Sequence, residues 1–134
     1  MFKFSGQRPA TLGVNNGRLA PCPGTPNCVC SYDQDAQHAI APISYTSSPS
    51  EALAALKQVI QSLERTQIIT ESADYLYVEA TSKLMGFVDD VEFYLDPSQP
   101  VIQVRSASRL GQSDLGVNRK RVELIREKLK EAGV

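Results

Sequence analysis

Apolar positions in this chain follow two rhythms, one of about 3.6 residues and one of two, separated by glycine, proline and polar breaks. Ser48-Pro49-Ser50-Glu51 opens the first helical stretch. Ser48 is placed as an N-cap, Pro49 takes the first helical position where a missing N–H is harmless, and Glu51 completes a capping box. Leu53, Leu56, Ile60 and Leu63 then recur along one face, which predicts a helix lying over a core. Thr66 to Glu71 is rich in β-branched residues, and Ser72-Ala73-Asp74 reads as a turn. Tyr75 to Ser82 sets Leu76, Val78 and Ala80 against Tyr75, Tyr77, Glu79 and Thr81, so two adjacent antiparallel strands are expected. After a break around Gly86, Val91, Phe93 and Leu95 face one way and Asp90, Glu92 and Tyr94 the other. The turn Asp96-Pro97-Ser98-Gln99-Pro100 returns the chain as Val101 to Ala107. Matching the faces of this hairpin sets Arg105 near Glu92. From about Gly116 the period is helical again, with Val122, Ile125 and Leu129 inward and an end at Gly133.

With a short strand at Ile43 to Thr46, the order is β-α-β-β-β-β-α. This predicts an α+β domain over residues 42–134, a four- or five-stranded antiparallel sheet with both helices on one face. That layout is TATA-binding-protein-like. Residues 1–41 show neither rhythm and form an irregular Cys/Pro-rich arm. Three prolines in six residues lower the entropy lost on ordering it, so the stretch from Leu19 to Ala41 is expected to pack on the domain and bring Cys22 and Cys28 together. The sheet face away from the helices carries Tyr75, Tyr77, Glu79, Asp90, Glu92, Tyr94, Gln103 and Arg105, and either water or the arm covers it.

Composition narrows the function classes. With 134 residues, 42% of them hydrophobic, the chain has material for one domain with a real core. A net charge of -1 and a pI near 5.8 leave no broad positive field, so nucleic acid is not an expected partner. No apolar run reaches the roughly 18 residues of a spanning helix, and the first residues lack the apolar core of a signal peptide. A cytoplasmic protein is expected on that basis.

Chemistry concentrates between Phe87 and Arg121. Arg105, Ser106, Ser108, Arg109, Ser113, Asp114, Asn118 and Arg119 crowd the exit of the last strand and the first turn of the last helix. Cations there oppose the helix dipole, so they invite an external anion or an internal acid. Asp89, Asp90 and Glu92 are the candidate ion-pair partners. Three readings follow. The first is a non-catalytic binding or accessory domain that takes a small anion or an acidic partner segment. The second is an enzyme using acids beside the arginines, and the third a purely structural cluster. Serine nucleophilic catalysis is disfavoured because the single histidine, His38, lies in the arm. The spacing of Cys22, Cys28 and Cys30 suits zinc poorly; Cys22 and Cys28 form a disulfide or redox pair or stay as buried thiols. No metal or cofactor is expected.

The segments L-A-P-C-P-G-T-P-N-C-V, H-A-I-A-P-I-S-Y, G-F-V-D-D-V-E-F and V-R-S-A-S-R-L-G-Q-S-D-L-G-V-N-R-K-R-V-E together resemble domain-of-unknown-function family 1499. The opening F-S-G-Q-R-P-A-T-L-G-V is similar to its cyanobacterial and plastid branch. The resemblance implies that Cys22, Cys28, Asp89, Asp90, Arg105, Ser106, Ser108, Arg109, Ser113, Asp114, Asn118 and Arg119 are family positions, and it brings no activity with it. Cys30 departs from the pattern, in which serine is the more typical residue.

Overall fold

The structure, a computed structural model, describes residues 6–83, 86–111 and 114–134. Its elements are β1 (Cys28–Cys30), β2 (Ile43–Ser44), α1 (Pro49–Ser62), β3 (Thr66–Glu71), β4 (Tyr75–Thr81), β5 (Val88–Leu95), β6 (Val101–Ser108) and α2 (Val117–Glu131). They form an α+β fold around one antiparallel sheet in the order β1-β6-β5-β4-β3, with β2 also pairing β6. The sheet has six strands because the arm is not wholly irregular. Its Cys28–Cys30 stretch lies along the outer edge of β6, with Val29 opposite Ser106, and removes an edge that would otherwise stay open.

The start of α1 follows from its sequence. Ser48 Oγ accepts the Glu51 N–H at 3.2 Å and donates to the Glu51 carboxylate at 2.9 Å. Leu53, Leu56 and Ile60 of α1 and Val122, Ile125 and Leu129 of α2 share one core with Leu76, Val78, Val91, Phe93, Ile102 and Val104 from the sheet. The strand alternation thus aims one set of side chains at both helices and the other set at the opposite face.

The arm covers that opposite face. The Gly13 N–H donates to Glu92 at 2.7 Å, Arg8 to Glu79 at 2.8 Å, and the Cys30 thiol to the Ala20 carbonyl at 3.6 Å. Cys22 and Cys28 are joined by a disulfide that fixes the arm to β1. Reducing it, or changing both residues to serine, is expected to lower stability by about 2 to 3 kcal/mol in the chain-entropy account of so short a loop, read as a shift in urea midpoint. Among the described residues, no helix is long and apolar enough to cross a membrane.

Candidate functional site

The sheet divides the polar cluster. Ser106, Ser108 and Asp89 point to the helix side, whereas Arg105, Arg109, Asp90 and Glu92 point to the arm side, because neighbours along a strand alternate. Asn118 organises the helix side. Fully buried, it accepts through Oδ1 from the Ser106 hydroxyl at 2.7 Å and from Arg121 at 2.8 Å. Its Nδ2 donates to Ser108 Oγ at 2.9 Å, to Asp114 at 2.8 Å and to the Asn27 carbonyl at 3.2 Å. Arg121 also pairs with Asp89 at 2.8 Å. Asp114 accepts from the backbone N–H groups of Gly116 and Asn118, which supplies the acceptor that Gly116, as N-cap, lacks. These backbone and side-chain hydrogen bonds hold the Asp114 carboxyl below its usual range, against the opposing effect of burial.

On the arm side, Arg109 donates to Asp90 at 2.8 Å and also to Glu79, and the Tyr77 hydroxyl joins the same pair of acids. Burial and the Asp90 hydrogen bond push the Tyr77 phenol upward, so it serves as a donor and not as a base. Burial opposes ionisation of Glu79, but Arg8, Tyr77 and Arg109 outweigh it and hold this carboxyl below its usual range.

Arg105 and Glu92 are opposite each other in the register, yet no ion pair joins them. Their proximity is what face-matching predicts, while the Glu92 carboxylate takes its hydrogen bonds elsewhere. Its Oε2 is taken by the Tyr75 hydroxyl at 2.6 Å and the Gly13 N–H at 2.7 Å, both supplied from outside the hairpin. Arg105 Nε and Glu92 Oε1 are buried without a hydrogen-bond partner among the described residues. Arg119 donates to the backbone carbonyls of Ala39 and Gln37, which fixes the end of the arm to α2. Ser113 lies outside the described residues. The other seven proposed ligand residues are divided between the two faces of the sheet and the start of α2.

His38 is buried, with Nδ1 2.6 Å from Asp35 and Nε2 2.8 Å from the Thr25 carbonyl. Both neighbours accept, so the imidazolium satisfies both. The Thr25 carbonyl raises its pKa above 6.5, burial opposes, and Asp35 and Asp33 add to the rise. Asp33, Asp35 and His38 place one ligand-type atom each within 4.8 Å of one another, but Asp33 already accepts the Cys22 N–H. The disulfide consumes the two thiols that a cysteine–histidine zinc site would need. A pKa raised in the folded state gives stability that is complete below the unfolded value and lost as pH rises through the folded one. The melting-temperature gap between the native chain and His38→Gln should therefore be larger near about pH 6 than near about pH 8.5.

A cleft of about 270 Å³ opens on the helix side, beside the Asn118 network. Asp89, Ser108 and Asp114 contribute its polar floor and Phe87, Val88, Leu110, Leu115 and Val117 its apolar wall, with Ser82 at the edge. Leu115 is 86% exposed and has a left-handed φ of 54°. A branched side chain held in that conformation and in water is unfavourable on both counts. Asn27 Nδ2 anchors the wall by donating to the Gly111 carbonyl at 2.7 Å. The apolar wall is what reading the sequence for charged and hydroxyl groups overlooked. The signal was available as Leu110, Leu115 and Val117, apolar residues in and directly after a glycine-rich loop that match neither period.

No curated protein and no solved structure matches this chain. A family model described as "Protein of unknown function (DUF1499)" matches residues 18–129, and the chain belongs to that family.

Proposed function

We propose that this chain is a non-catalytic binding domain whose ligand sits in the cleft between the end of β6, the start of β5 and the first turn of α2. One observation carries this reading. Of the five exposed large hydrophobic residues among those described, Phe87, Leu110, Leu115 and Val117 line that cleft, and only Leu124 lies elsewhere. Apolar side chains gathered around a few fixed polar groups are the usual make-up of a ligand pocket. The cluster behind it has the part of a rigid support.

A small anion or an acidic partner segment is the weaker reading. Arg109 and Arg121 are held by acids, Arg119 by carbonyls, and Arg105 is buried beneath the arm. Nucleophilic catalysis would need a free base beside a nucleophile. Ser108 Oγ accepts from Asn118, its register neighbour Asp89 is paired with Arg121, and His38 is engaged with Thr25 and Asp35.

A thermal-shift screen of small amphiphiles tests the proposal, since binding to the folded state raises the melting temperature. Hits are expected with the native chain and are expected to disappear in Val117→Trp and Leu110→Glu, two exposed positions on the cleft wall. Hits that survive both substitutions would place the ligand elsewhere.

A further inference from the structure

We infer that the cleft takes a small amphiphile with an apolar tail and a neutral head that both donates and accepts a hydrogen bond, a primary amide being the simplest such head. This rests on the cleft being the binding site and adds the chemistry of what enters it.

The head group follows from what the floor has left to offer. Asp89 gives Oδ2 to Arg121, while its Oδ1 takes no hydrogen bond among the described residues. Ser108 Oγ accepts from Asn118 Nδ2, and its own hydroxyl hydrogen has no acceptor among the described residues. These two residues are register partners on neighbouring strands and both line the cleft, so it holds one acceptor and one donor. The third polar group, Asp114, has both oxygens committed to the turn that opens α2. A ligand that only accepts leaves Asp89 unmatched, and one that only donates leaves Ser108 unmatched.

Charge argues for a neutral head. Among the described residues no lysine, arginine or histidine lines the cleft, so a carboxylate or phosphate would meet Asp89 and Asp114 with none of these cations facing it. A cation gains little, because Asp89 is already neutralised by Arg121 and Asp114 by backbone N–H groups at the start of the helix. Size keeps the tail short, because a volume of about 270 Å³ is small for a ligand pocket. Hexanamide is a short amphiphile of this kind.

The experiment compares hexanamide, N,N-dimethylhexanamide, hexanoate and hexylammonium by titration calorimetry against the full chain near neutral pH. Hexanamide is expected to bind tightest. Removing its donor by dimethylation, or the protein's donor by Ser108→Ala, is expected to weaken binding about tenfold each, the effect of one buried hydrogen bond. Ser108→Ala keeps Asp89 and Arg121 untouched, and an unchanged melting temperature of the free variant separates lost recognition from lost folding. Hexanoate or hexylammonium binding as tightly as hexanamide overturns the inference, as does an affinity indifferent to both donor deletions. If other apolar compounds bind and lose binding in Val117→Trp while hexanamide does not bind, the inference fails and the cleft stands. If no apolar compound binds, the cleft itself fails.

Discussion

Asn118→Leu is expected to lower folding stability by about 4 kcal/mol or more, close to the whole stability of a small domain. The leucine fits the volume but removes one acceptor and two donors from a site with no exposure. It strands the Ser106 hydroxyl and one arm of Arg121, while the Asn27 carbonyl and Asp114 Oδ2 each lose one donor and keep a backbone N–H. Each stranded buried group costs about 1 to 3 kcal/mol, and the losses are not fully additive because Arg121 still reaches Ser106 and Asp114 still caps the backbone. The urea midpoint, read with an unchanged slope, measures the effect. A loss under about 1 kcal/mol would mean that water replaces these bonds and that the cleft floor is not rigid.

Arg109→Met is expected to cost about 3 to 5 kcal/mol, the range for breaking a buried ion pair from one side. Asp90 is only 1% exposed and loses its cation, while Glu79 keeps Arg8. The second substitution distinguishes charge from shape. Adding Asp90→Asn to Arg109→Met should recover part of the loss, because the buried charge disappears and Tyr77 still has an oxygen to donate to. A cost below about 1 kcal/mol for Arg109→Met alone would class the contact with exposed ion pairs.

The fold was readable wherever a local rule decided the outcome. Ser48-Pro49-Ser50-Glu51 specifies a helix start by its own hydrogen bonds, and Leu76, Val78, Val91, Phe93, Ile102 and Val104 specify the core face by alternation alone. The same alternation carries through the polar stretch from Arg105 to Arg109, which is why one crowded segment serves two faces of the sheet. What could not be read were the partners across long distances. Adjacent Asp89 and Asp90 go to Arg121 and Arg109 respectively, a division that depends on where α2 crosses the sheet. The capture of Glu92 by Gly13 depends on the path of an arm that has no period to place it. The cleft wall escaped notice for a related reason: Leu115 and Val117 are apolar residues exposed by backbone geometry, and sequence alone does not reveal exposure.

The central claim is that the polar cluster supports the molecule while the cleft beside it binds. Amide chemical-shift mapping of isotope-labelled protein, titrated in parallel with hexanamide and with inorganic phosphate, tests it most directly. Hexanamide is expected to shift residues 87–89, 108–111 and 114–117 saturably, and phosphate to leave Tyr77, Asp90, Arg105 and Arg109 unmoved. Saturable phosphate shifts centred on Arg105 and Arg109, with none around the cleft from hexanamide, would contradict it.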